Sequence, residues 1–306
     1  MAKRSALLRN FLLALVVAIS GVVYPLSDAR VAATVGLVQA DCQAEETALA
    51  QVDQKISAHN AKPHVFEVPR QAAQAAAYDA EANALNAEAQ TARSNLHACL
   101  QRVLQRDQAL QELADQQPGS PSIPTPRADT LQKIADALAK LPPNYVSPVR
   151  GSSPSGSWRV DKNSVMRPVF DVLRSVSPPR GWGPNVTLQG ARRPNVGDRD
   201  PAGHPRNTIG RTVRGDPNVS PDHIIPLAEI VHMPGFLKLN PNNMYSVVNA
   251  PLNLQWMSRP ANNAKNSMSA GLVYGFEPGW RASQVVLENQ VRAQLRDIIT
   301  RLLASQ

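Results

Sequence analysis

Cysteine is almost absent from this chain. Cys42 and Cys99 are the only two among 306 residues, which leaves room for one disulfide and no more. Long apolar runs are missing too. The best candidate, residues 11–26, covers 16 positions, short of the roughly 20 that a membrane-spanning helix needs. Glycine does not occur in residues 41–117, so that stretch lacks one of the two residues that most weaken a helix. Acidic residues fall short of basic ones only in the second half. Residues 1–157 hold 14 Lys+Arg and 14 Asp+Glu, whereas residues 158–306 hold 18 and 10, so the whole net charge of +8 sits there. A basic domain beside a neutral one points to a polyanionic partner for the basic part.

What is present divides the chain in four. Residues 1–40 read as an export signal. Lys3, Arg4 and Arg9 give a positive start, the apolar core follows, and Val38-Gln39-Ala40 offers small residues for cleavage. The expected location is therefore periplasmic or secreted. An uncleaved inner-membrane anchor through residues 11–26 is the alternative. Asp41 precedes Cys42 where a lipoprotein needs a small residue, so no lipid anchor is expected.

Residues 41–117 are rich in Ala, Gln and Glu. Leu85, Ala89, Ala92, Leu96, Cys99, Val103, Leu110 and Leu113 recur at helical spacing, as do Leu49, Val52 and Ile56, with Pro63 and Pro69 bracketing a break. This predicts a helical hairpin or short coiled coil. It serves as a spacer, or as a docking arm for a secretion apparatus or a helical partner. An exported chain should pair Cys42 with Cys99. Equal helical arms would leave the two offset by roughly 18 Å along the helices at ~1.5 Å per residue. The bridge therefore needs a skewed connection, a kink, or an intermolecular partner.

Residues 118–157 are rich in Pro, Gly and Ser and predict a linker interrupted by a short helix near residues 128–141. Residues 158–306 form the basic domain. Residues 165–176 should be helical. Residues 178–218 read as a loop carrying, among others, Arg192, Arg193, Arg199, Arg206, Arg211 and Arg214, of which the adjacent Arg192 and Arg193 are the first candidates for nucleic-acid contact. Residues 281–304 close the chain as an amphipathic helix. The fold class expected is α+β.

Within that domain, residues 222–265 concentrate the chemistry. Asp222 adjoins His223; Asn253 and Asn262 follow nine residues apart; Lys265 stands three further on. Cutting a phosphodiester needs an activated water, a cation for the charge growing on phosphate, and help for the leaving oxygen. Imidazole can take a proton from water near neutral pH. A carboxylate and an amide oxygen are hard ligands suited to Mg²⁺ or Mn²⁺. Neighbouring side chains on a strand point to opposite sides. Asp222 and His223 therefore share a site only if the strand is distorted or one of them lies at its end. His232 lies in an apolar run, Ile230-Val231-His232-Met233, and reads as a packed side chain; His204 is the other histidine nearby.

Taken together, these residues resemble the HNH nucleases, the ββα-metal finger family, in the variant with a terminal asparagine found in bacterial secreted nuclease toxins. About 45 of the 306 residues carry the likeness. The resemblance implies a ββα finger and a catalytic set of His223, Asn253 and Lys265. His223 would be general base, Asn253 would pin the loop bearing it, and Lys265 would contact phosphate. It makes Asp222 and Asn262 the metal ligands, for Mg²⁺ or Mn²⁺. Many relatives add a Cys-x-x-Cys pair for zinc; Ser258 and Ala261 stand at those places here, so no structural zinc is expected. The insert at residues 227–249, with a short helix expected over residues 240–248, leaves the shape of the loop after His223 open. The function so implied is a metal-dependent, largely nonspecific DNA endonuclease, exported as an antibacterial toxin, with DNA and an immunity protein as the partners to expect. A scavenging secreted nuclease and a non-enzymatic exported helical protein with a degenerate HNH fold are the alternatives.

Overall fold

Helix-forming composition is realised from the start of the described residues. The computed structural model describes residues 41–67, 69–114, 117–148, 157–179, 182–183 and 185–306. The expected export signal at residues 1–40 and the Gly/Ser-rich stretch at residues 149–156 lie outside the described residues. Two compact units divide between Gln101 and Arg102.

In the first unit, α1 (Gln43–Asn60) lies against the beginning of α2 (Ala72–Leu113). The seam is small, with Val52, Ala89 and Ala92 buried and Leu49 and Ile56 packed beside them. Lys55 pairs with Glu88 and Lys62 with Glu81 at 2.5 and 2.6 Å, and the His59 and Tyr78 rings stack 4.0 Å apart. The same antiparallel register carries Cys42 onto Cys99. The two are bonded, with Cα atoms 5.9 Å apart.

The connection explains how the offset is absorbed. Cys42 stands one position before the 18-residue α1, but Cys99 lies 27 positions after the start of α2. The mismatch of nine residues is about 14 Å of helix. The chain between Asn60 and Ala72 is largely non-helical, and extended chain covers ~3.3 Å per residue. It runs back over the extra turns of α2, which is the skewed connection among the alternatives above.

The second unit is built around its last helix. Its core takes Ala109 and Leu113 from the end of α2, Ile134 and Ala137 from α3 (Ala128–Leu138), and Val169 and Leu173 from α4 (Arg167–Val176). These surround Val291, Leu295, Ile298, Ile299 and Leu302, one face of α8 (Pro278–Ser305). Each such aliphatic side chain contributes about 1.5–3 kcal/mol on burial. Residues 118–148 therefore correct the linker expectation. Thr187 donates from its backbone N to Gly119 O at 3.0 Å and from Oγ1 to Pro118 O at 2.7 Å, and Ile134 is wholly buried. Proline has no N–H to satisfy, so a proline-rich run can lie flat on a domain as well as tether one.

Two small antiparallel sheets complete an α+β unit. Strands β1 (Thr187–Leu188) and β2 (Ala191–Arg192) form a tight hairpin whose turn, Gln189-Gly190, has positive φ at both residues, the form that matches strand twist. Strand β3 (Val219–His223) pairs with β4 (Leu254–Ser258), and α7 (Arg259–Lys265) follows directly. Ser258 caps α7, accepting from Ala261 N, and Pro260 occupies its first turn. The insert between β3 and β4 is no surface loop. It folds as α5 (Leu227–Ile230) and α6 (Pro241–Val248), and Ile230, Val231, Phe236, Met244, Val247 and Val248 fill the core.

Candidate functional site

Strand register sets the two sides of the site. Asp222 stands opposite Gln255, and His223, the last residue of β3, stands opposite Leu254. Asp222 turns towards α7 and α8. Its carboxylate is 4% exposed and accepts from Gln255 Nε2 at 3.3 Å, and Gln255 Nε2 also donates to Gln284 Oε1 of α8 at 2.9 Å. His223 turns to the ends of α4 and α6. Its Nε2 lies 2.8 Å from Ser177 Oγ and 3.0 Å from Val248 O.

That contact assigns the tautomer. A carbonyl oxygen can only accept, so Nε2 carries the hydrogen and Nδ1 keeps a lone pair. Ser177 Oγ also donates to Val248 O, closing a small triangle around the imidazole edge. Burial pushes the His223 pKa below its ordinary value, and the Lys265 charge adds to this; the Val248 hydrogen bond and the Asp222 charge oppose it. The ring is therefore neutral at neutral pH, with its free nitrogen able to take a proton.

Asn253 is wholly buried and grips one residue with both ends of its amide. Oδ1 accepts from Ile225 N at 2.7 Å, Nδ2 donates to Ile225 O at 3.0 Å, and its own carbonyl accepts from Ile224 N at 2.9 Å. The segment immediately after His223 is held by these three bonds. Asn262, on α7, donates from Nδ2 to Ser220 Oγ at 3.1 Å and to Pro221 O at 3.3 Å. That orientation leaves Oδ1, the atom able to bind a cation, without a protein partner among the described residues.

Asp222, His223 and Asn262 line one cleft of about 580 Å³, with Ser177 in its wall. A larger hollow of about 720 Å³ is lined by amides and aliphatic side chains around Glu112 and has no histidine.

Lys265 departs from expectation. Its side chain is 1% exposed, and Nζ lies 3.3 and 3.2 Å from the two Asp222 oxygens and 2.7 Å from His223 O. Buried beneath the carboxylate, it balances the Asp222 charge and is not placed to contact phosphate. Arg192 and Arg193 depart as well, for neither lines the cleft. Arg192 pairs with Asp198 at 2.9 Å, and the Arg193 guanidinium lies 5.8 Å from the centre of the Trp256 ring. His232 is buried, its Nδ1 2.6 Å from Ala228 O and its ring against Trp158. His204 packs on Phe276.

Two features escaped the sequence reading. Ser177, 46 positions before His223, carries no local signal; only the fold joins them. The basic residues that do line the cleft, Arg159, Lys162, Arg167 and Arg174, are scattered singly, whereas adjacency had favoured Arg192 and Arg193. Among the described residues no three His, Cys, Asp or Glu side chains gather as a metal-holding group. No family model, curated protein or solved structure matches the chain. Function is therefore read from these side chains alone.

Proposed function

We propose that the chain is a metal-dependent phosphodiester hydrolase, a nuclease of the ββα-metal kind acting on DNA with little sequence preference. The observation that carries this reading is the meeting of Asp222, His223 and Asn262 in one cleft on β3 and α7. The donor set fits a hard divalent cation. Asp222 and Asn262 Oδ1 are both oxygen donors, and Mg²⁺ is commonly held by one or two protein oxygens and several waters. When bound there, the ion supplies positive charge to the phosphate oxygens and the leaving group.

The protein's own part is defined at the atom level. His223 Nδ1 takes the proton of the attacking water. Ser177 and Val248 hold Nε2, which leaves Nδ1 as the free nitrogen. Asn253 fixes the backbone that follows the base. Lys265 and Gln255 keep the Asp222 carboxylate oriented by hydrogen bonding to its oxygens. Export as an antibacterial toxin belongs to the same proposal and rests on the composition of residues 1–40.

Supercoiled plasmid incubated with the full chain and Mg²⁺ or Mn²⁺ tests the reading. Wild type should nick and linearise it. His223→Ala should lose roughly 10²–10⁴-fold in rate, the usual contribution of a general base. Intact plasmid with wild type across a metal series refutes the proposal, as does an undiminished rate in His223→Ala.

A further inference from the structure

We propose that Arg159, Lys162 and Arg174 form a phosphate rail that seats the backbone of a DNA duplex at the mouth of the cleft. The proposal rests on the nuclease reading for its ligand and adds residues that the 222–265 stretch does not contain. The lining of the cleft is cationic. Arg159, Lys162, Arg167 and Arg174 face only two carboxylates there, Asp161 and Asp222, and Asp222 is already paired with Lys265 from beneath.

The four cations differ in what they hold. Arg167 is engaged, pairing with Asp171 at 2.8 Å and donating to Val160 O at 3.3 Å. Arg159, Lys162 and Arg174 are exposed, and none makes an ion pair among the described residues. Unpaired like charges around one concavity repel each other, and a polyanion relieves that repulsion. Arginine can grip a phosphate with two parallel N–H bonds, and lysine serves as a point charge.

The fold ties these charges to the site from two directions. The segment bearing Arg159 and Lys162 is stitched to the chain just beyond α7: Trp158 N donates to Ser267 O at 3.0 Å, and Ser157 bridges Met268. Arg174 lies in the last turn of α4, three positions before the Ser177 that holds His223 Nε2. A strand seated on these three side chains therefore lies over both the candidate base and the candidate cation ligand.

Binding is measured by fluorescence anisotropy, in EDTA so that cleavage does not intervene, with a labelled DNA duplex and the full-length protein. The rail variant is Arg159→Gln/Lys162→Gln/Arg174→Gln. A variant with the same charge loss elsewhere, Arg206→Gln/Arg211→Gln/Arg214→Gln, is the control; those arginines are exposed and do not line the cleft. Each phosphate contact adds about 0.9 to the slope of log affinity against log salt. The rail variant should therefore lose roughly 2.7 of slope, and from 50 to 200 mM salt its affinity should fall about 40-fold less than that of wild type. The control should keep the wild-type slope. Equal loss in both variants, or loss in neither, overturns the rail. Plasmid cleavage by wild type in Mg²⁺ reports separately on the nuclease reading, so failure of one is distinguishable from failure of the other.

Discussion

Replacing Asn253 by alanine tests how the base is held. The side chain is wholly buried and satisfies both the N–H and the C=O of Ile225, at 2.7 and 3.0 Å. Alanine removes both partners without admitting water. A buried polar group left unpaired costs about 1–3 kcal/mol, so two such groups cost roughly 4 kcal/mol together. In a unit of about 200 residues, each kcal/mol lowers Tm by about 2–4 °C, which predicts a drop of roughly 8–16 °C. Asn253→Asp separates geometry from size. It keeps an acceptor for Ile225 N but sets a second oxygen against Ile225 O, so it should destabilise almost as much while conserving volume. Thermal unfolding followed by circular dichroism reads both variants, and plasmid cleavage at a temperature where they remain folded reads the base. A fall in Tm of less than about 3 °C for Asn253→Ala would mean that the loop is held by the hydrophobic packing of Ile224 and Ile225, and the pinning argument fails.

Three other outcomes follow from the geometry. Burial depresses the His223 pKa, and protonation consumes the Nδ1 lone pair, so activity should fall as pH drops through that lowered value. The acid limb of the pH–rate profile should therefore lie below ~6.5, the ordinary value for histidine; a limb above it contradicts the assignment of His223. Lys265→Met removes the buried partner of Asp222 and should cost about 3–5 kcal/mol in EDTA, the range for breaking a buried pair. Mn²⁺ should raise the Tm of that variant more than it raises that of wild type, and equal shifts refute the charge-balancing role. Cys42→Ser/Cys99→Ser opens a loop closed across 57 residues, which should lower the stability of the first unit by about 4 kcal/mol and leave plasmid cleavage unchanged; an unchanged melting profile refutes this.

The residues that meet in the cleft were legible because their chemistry is local. Asp222 and His223 are adjacent, and Asn253 and Asn262 sit on the elements that follow. The amphipathic α8 was legible from periodicity, whereas the strands behind the α+β expectation came from the likeness carried by residues 222–265. Burial was not legible. Nothing in the sequence around Lys265 says that its ammonium lies beneath a carboxylate, because a lysine at the end of a short helix looks the same whether it faces water or the core. The insert at residues 227–249 was expected to hold a short helix over residues 240–248, and α6 lies there; that its Ile, Val, Phe and Met side chains build the centre of the second unit was not legible. Its apolar residues were visible, but their runs are too short for periodicity to separate helix from strand. The stretch at residues 118–148 misled for the opposite reason. Its prolines signal extended backbone, and extended backbone is equally at home on a surface or in solvent. Ser177 and the cleft cations lie 46 or more positions from His223 and join it only through packing.

The non-helical chain between Asn60 and Ala72 behaves as a ruler. Each residue added there advances the path by up to ~3.3 Å, whereas each residue added to α1 advances it by ~1.5 Å and rotates the seam by about a third of a turn. A two-residue deletion in the connection slides α1 by several ångströms. Val52 then leaves its place between Ala89 and Ala92, and the sulfurs no longer meet. Oxidative closure of this hairpin thus measures the length of its connection, and a chain of altered length should accumulate as thiols or as cross-linked dimers.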